Sequence, residues 1–134
     1  MKLWKKTGLF VIGGGSYVML ELLWRGRSHY SMFLAGGTCF LLLGRLGKTK
    51  IPLFVRGVAG AGVITAVELL TGLLVNRRYQ VWDYRQLPLN LLGQVCLPFS
   101  LLWIPLSLGA MELYRYLNQG IDKGCAIWYT FLKK

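Results

Sequence analysis

Acidic residues are scarce in this chain, with 5 Asp and Glu against 16 Lys and Arg. A single histidine, His29, does not support a histidine-based metal site, and no metal or cofactor is expected. The three cysteines, Cys39, Cys96 and Cys125, are odd in number and widely spaced, with no Cys-x-x-Cys. They imply neither a disulfide framework nor a zinc site, and read as small thiols in apolar helices. A Gly-x-x-x-x-Gly-Lys-Ser/Thr loop is missing, so the chain does not hydrolyse nucleotide by that device. Charge of either sign is sparse, at 16% of residues.

The chain is instead rich in apolar residues, at 54%, with a mean hydropathy of +0.47. A soluble domain of 134 residues has too high a surface-to-volume ratio to bury that much apolar surface. The long apolar runs point to a membrane protein forming one domain over residues 1–134. The net charge of +11 falls between those runs, where it meets anionic headgroups. Membrane lipids are therefore the expected partners, and nucleic acid is not.

The patterning predicts an all-α integral membrane bundle of four transmembrane helices plus a C-terminal interfacial amphipathic helix. The spans cover roughly 7–24, 30–46, 52–75 and 89–111, and the interfacial helix 112–134. Lys2 to Lys6 before an apolar run resembles a signal peptide, but the small-x-small cleavage pattern is missing, so a retained first span is expected. Gly13-Gly14-Gly15 reads as a close helix contact, since small residues let backbones approach in lipid. Ser28 reads as the N-cap of the second span, and Ser31, Ala35, Thr38 and Leu42 as its contact stripe. In the third, Gly57, Ala61, Thr65, Glu68 and Gly72 share one face, so the packing face also carries the carboxylate. Arg56 is expected to snorkel to the headgroups. Pro98 and Pro105 are expected to kink the fourth span, with Asn90 and Gln94 on one face of it. A break at Gly120 is expected in the tail; a fifth span is the alternative, which Glu112, Arg115, Asp122 and Lys123 disfavour.

Four spans put both termini and the second loop on one side, with eleven of the basic residues; Arg25, Arg27, Arg77, Arg78 and Arg85 lie on the other. The positive-inside rule then puts both termini in the cytoplasm of a multi-pass protein. The outward side carries the densest set of functional groups, from Val81 to Gln94. Glu21 and Glu68 approach it from the first and third spans, in the matching contexts Glu-Leu-Leu-Trp and Glu-Leu-Leu-Thr. Those contexts weakly relate the two halves of the chain. A charge at mid-bilayer costs at least about 2.5 kcal/mol, so it has a partner or a function.

Candidate substrate- or ion-binding residues are Glu68, Glu21, Asp83, Asn90, Gln94, Trp82, Tyr84, Arg25, Arg27 and His29. Each also has a structural reading. Glu68 is either a proton- or cation-binding group or one half of a structural pair. Glu21 reads first as a partner of Arg25. His29 is a base beside Asp83 or a capping group at a helix start. Asn90 and Gln94 either line a path or hold helices together, at about 1 kcal/mol per bond. Trp82 and Tyr84 read first as an interfacial belt.

Two segments resemble a known family. One is Glu21-Leu-Leu-Trp24 through Gly37; the other runs from Glu68-Leu-Leu-Thr71-Gly72 through Val81-Trp82-Asp83-Tyr84 to Leu89-Asn90-Leu91-Leu92-Gly93-Gln94 and Ser100. Together they resemble the ABC-transporter type IV, or CmpB-like, bacterial membrane proteins over roughly Leu9 to Trp103. The resemblance implies a small permease of the bacterial inner membrane. The family usually has Ser after Trp-Asp-Tyr, where Arg85 stands here.

Three functions follow as expectations: transport of a small solute or ion, a non-catalytic subunit or scaffold of a larger membrane complex, and an enzyme acting on lipid or envelope precursors at the outer interface. The sequence leans away from an enzyme, since His29 and Asp83 have no second His, metal motif or activated nucleophile beside them. A bundle this small has little room for an internal path, so a homo-oligomer is expected, with other membrane subunits as possible partners.

Overall fold

The fold is that of a computed structural model, which describes residues 3–79 and 81–133, apart from the Arg25 side chain. Four helices are each long and apolar enough to cross a membrane: α1 Leu3–Arg25, α2 Tyr30–Gly47, α3 Leu53–Val75 and α4 Leu97–Lys133. A helix satisfies its backbone internally, which makes it the natural state of long apolar runs in lipid. The polar residues fall at the joins. Gly26 closes α1 with a left-handed φ of +74° and a bond from its N–H to the Leu22 carbonyl. His29 caps α2, its Nδ1 accepting from the Ser31 N–H at 3.2 Å. The cap is therefore His29 and not Ser28.

The helices meet where side chains are smallest, because lipid supplies no hydrophobic force between helices and close van der Waals packing takes over. Gly13 and Gly14 of α1 admit Phe40 and Phe33 of α2, and a Cβ at Gly13 would collide with the Phe40 side chain. Gly36 and Gly37 of α2 admit Tyr17 and Phe10 in return. The contact face of α2 thus runs through Met32, Gly36, Gly37, Phe40, Leu43 and Gly44. The expected stripe holds only at its start, where Ser31 is buried and Ala35 half-buried. Thr38 and Leu42 are exposed, and the Thr38 hydroxyl bonds back to the Leu34 carbonyl. The α3 face is as expected through Gly57, Ala61, Glu68 and Gly72, all buried. It packs on α4, where the fully buried Ser107 donates to the Gly57 carbonyl at 3.1 Å and Thr65 meets Ser100 at 2.9 Å. Leu43, Ala61, Ile64, Trp103 and Met111 form the main core, and Leu9, Phe40 and Tyr114 a second one.

The C-terminal third differs most from expectation. The fourth span begins at Leu97, not at 89, and residues 90–91 and 95–96 pair as a short antiparallel hairpin, β1 Asn90–Leu91 with β2 Val95–Cys96. Asn90 and Gln94 therefore do not share a helix face. Pro98 lies in the first turn of α4, where its missing N–H costs nothing, and only Pro105 lies in the interior. Among the described residues no separate interfacial helix forms. The α4 helix continues for 37 residues, about 55 Å, through Gly120 without a break. Of the charges that disfavour a further span, Glu112 pairs with Arg115 one turn on, and Asp122 with Lys5 of α1. Beyond Asp122 the described residues of α4 are exposed on every face.

The bundle has two unlike ends. The α2–α3 connection and the start of α1 form a basic end, where α1 and α4 are joined through Lys5–Asp122. The α1–α2 and α3–α4 connections form the opposite, loop end. There α1 and α4 part, leaving a groove of about 650 Å³ between Tyr17–Trp24 and Phe99–Leu106.

Candidate functional site

The loop between α3 and α4 is built around Asn76, which ends α3 and is only 1% exposed. Its Oδ1 accepts from the N–H groups of Val81 (2.8 Å) and Trp82 (3.2 Å). Its Nδ2 donates to the Trp82 carbonyl (2.6 Å) and to Gln94 Oε1 (2.9 Å). Gln94 returns a bond from Nε2 to the Asn76 carbonyl at 3.0 Å, and Trp82 Nε1 donates to the Gln94 carbonyl at 2.8 Å. Trp82 and Gln94 are 3% and 2% exposed. The two amides and the indole thus satisfy one another away from water, as buried polar groups require. This excludes an interfacial-belt role for Trp82 and leaves Gln94 as the inner clasp of the loop. Gly72 is the glycine that lets the clasp close, because a Cβ there would strike Gln94 Oε1.

A second, exposed layer covers the first. Arg85 donates from Nε and Nη2 to the two Asp83 oxygens at 2.9 and 2.7 Å, and its guanidinium lies 4.1 Å from the Tyr79 ring centre. The Tyr79 hydroxyl donates to the Leu92 carbonyl, and Asn90 Nδ2 donates to the Arg85 and Leu87 carbonyls. These bonds hold Tyr79, Leu89 and Leu92 in left-handed conformations, which cost about 1–3 kcal/mol each for residues with a Cβ. The bidentate Arg85 contact holds the Asp83 carboxyl down at about 2, against an ordinary 3.8. Asp83 is therefore a firmly ionised carboxylate turned to its own loop. It does not meet His29, whose Nδ1 is engaged with Ser31 Oγ at 2.8 Å.

Between these layers and the membrane interior sits Tyr84. Its hydroxyl donates to Glu68 Oε2 at 3.2 Å, and its ring stacks on Phe99 with centroids 5.1 Å apart. Glu68 is 8% exposed on the packed face of α3. Its neighbours Tyr17, Met32, Cys39, Thr71 and Trp82 leave a void of about 20 Å³, room for about one water. On its other side Tyr84 walls the larger groove, with Tyr17, Glu21, Trp24, Phe99 and Trp103. The sequence-predicted residues therefore divide. Glu68, Trp82, Tyr84 and Gln94 come together at one place, Glu21 joins them across the groove, and Asp83 and Asn90 brace the loop from outside. Arg27 is exposed and His29 half-buried in the other connection, and the Arg25 side chain lies outside the described residues.

Asn76, Tyr79, Phe99 and Trp103 were not singled out from the sequence. The signal for Asn76 was its place directly after an apolar run, where a helix C-cap is due. Among the described residues no group of three or more His, Cys, Asp or Glu gathers in a metal-ligating arrangement. What the arrangement can do chemically is hold one buried carboxylate behind a tyrosine hydroxyl, beside an aromatic groove that suits a cation or a polarised solute.

Residues 16–132 match the family model described as "Putative ABC-transporter type IV". No curated protein and no solved structure matches the chain.

Proposed function

The chain belongs to the ABC-transporter type IV family, and from that premise we propose that it moves a small solute or ion across the membrane, with Glu68 as the binding or coupling group. The observation that carries this reading is the double position of Tyr84. One side chain bonds to the buried carboxylate and also walls the open groove. Rotating Tyr84 away from Phe99 would join groove and carboxylate into one path. A solute held against the aromatic walls would then replace the phenol as the partner of Glu68. The loop that carries Tyr84 is anchored by Asn76 and Gln94, so the hydroxyl returns to the same place each time.

In this reading the protein sits in the bacterial inner membrane with both termini cytoplasmic, because Lys5, Lys6, Arg45, Lys48, Lys50 and Arg56 gather at the basic end. It works as a homo-oligomer, since four spans enclose little room. A second reading, as a subunit of a larger membrane complex, is favoured by the end of α4. There Ile127, Trp128, Phe131 and Leu132 are exposed on a helix that has left the bundle.

The test is flux in proteoliposomes with a trapped pH-sensitive dye, under an imposed cation gradient. Glu68→Gln is expected to abolish proton-linked movement while retaining the wild-type melting profile. Tyr84→Phe, which keeps the Phe99 stack and loses the hydroxyl, is expected to change the pH dependence without abolishing flux. Unchanged flux in folded Glu68→Gln protein would remove the carboxylate from the mechanism. A stoichiometric second protein retained on purification favours the subunit reading.

A further inference from the structure

The basic end holds a feature that the transport reading does not use. A cleft of about 630 Å³ lies between the end of α2, the start of α3 and the middle of α4. Lys48, Arg56 and Arg115 line it, opposed by a single carboxylate, Glu112, which pairs with Arg115. Leu53, Leu108 and Met111 give it apolar walls, and Asn118 and Gln119 add two amides.

Two polar groups in it lack good protein partners among the described residues. Arg56 Nε has no acceptor, and its Nη1 reaches only the Gly47 and Thr49 carbonyls at 3.4 and 3.5 Å, long for a charged donor. Asn118 Oδ1 likewise has no donor. A half-buried guanidinium this poorly engaged has capacity for an anion once it turns into the cleft, and its planar fork fits a phosphate. An adjoining cleft of about 440 Å³ shares Lys48 and Tyr114 and adds Lys6 and Arg45, so positive potential surrounds the site.

We propose that this cleft binds the phosphate of an acidic glycerophospholipid from the leaflet at the basic end. Arg56 and Lys48 engage the phosphate, and Asn118 accepts a headgroup hydroxyl. The apolar walls select a lipid over free phosphate, because they give the glycerol and first acyl carbons a surface that an inorganic ion cannot use. The setting also matches where basic pockets between transmembrane helices hold lipid headgroups.

The experiment uses the full chain in neutral detergent, with native mass spectrometry and thermal melting read together. The probes are phosphatidylglycerol, phosphatidylcholine and millimolar inorganic phosphate. Phosphatidylglycerol is expected to stay bound and raise the melting temperature, and the other two are not. Arg56→Gln is expected to weaken that binding by about fivefold, the effect of one basic residue near an anionic surface. Arg77→Gln, at the loop end, is expected to leave it unchanged. If Arg56→Gln fails to fold, Lys48→Gln carries the same expectation. Equal responses to the two lipids, or equal losses in Arg56→Gln and Arg77→Gln, would overturn the proposal. So would a full shift from inorganic phosphate, which would make the ligand a free anion.

Discussion

Replacing Asn76 by alanine tests whether the buried amide clasp holds the loop. Four hydrogen bonds end on the Asn76 side chain. The Val81 N–H is half-buried and can turn to water when the side chain is removed. The Trp82 N–H, the Trp82 carbonyl and Gln94 Oε1 cannot, since Trp82 and Gln94 are almost wholly enclosed. Leaving a buried polar group unpaired costs about 1–3 kcal/mol, and the lower figure applies where the surroundings relax. Three such groups at the lower figure give a loss of about 3 kcal/mol. Asn76→Asp should cost at least as much. It keeps the acceptor for the two N–H groups but turns a second oxygen toward the Trp82 carbonyl and Gln94. The measurement is equilibrium unfolding in mixed micelles, followed by tryptophan emission, with amide exchange over residues 81–96 as the local probe. Asn90→Ala is the control, because two of its three bonds are exposed and the third only part-buried, and their loss should cost about 1 kcal/mol. A stability of Asn76→Ala within about 0.5 kcal/mol of wild type, with unchanged exchange, would refute the clasp, because surface substitutions alone stay within that range.

Two further outcomes follow from the same geometry. Gly60→Ala places a Cβ 2.6 Å from Ser107 Oγ and 2.7 Å from its Cβ, so α3 and α4 must separate. A loss of about 1–3 kcal/mol is expected, partly recovered by Ser107→Gly in the same chain, and no recovery would show that the strain lies elsewhere. Acidification should loosen the outer loop layer in a defined window. Asp83 has a folded value of about 2 against 3.8, lowered by its bonds to Arg85. Its contribution is therefore fully present above about pH 4 and is lost as the pH falls toward 2. Asp83→Asn should abolish that acid-dependent change in Arg85 amide exchange, and a wild-type transition placed above pH 5 would assign it to another group.

Much of the fold was legible because its determinants are local. Four apolar runs of sufficient length, punctuated by charged and glycine-rich connections, lead to four helices whatever the neighbours, since a bilayer leaves the backbone little else. The α3 face was readable because its small residues recur at helical spacing. The α2 face is readable only in part, through Ser31 and Ala35, because alternative stripes on an apolar helix look alike. Which one packs is decided by where Phe10 and Tyr17 of α1 need room. The end of α4 is hard to read from spacing for a related reason. Charges at Glu112, Arg115 and Asp122 disfavour a membrane span when counted singly, and are compatible with a continuing helix once paired with each other and with Lys5.

The sequence by itself determined that the protein is a multi-span helical bundle, which family it resembles, and that Glu68, Trp82 and Tyr84 fall near one end. These follow from composition, run length and the rarity of a carboxylate within an apolar segment. Only the tertiary structure decided that Tyr84 donates to Glu68, that Asp83 is occupied by Arg85, and that Asn76 and Gln94 clasp each other across eighteen residues of chain. The physical reason is that a hydrogen bond is sharply directional, while the apolar preference that forms a helix is not. Residue spacing along the chain carries the second kind of information and almost none of the first.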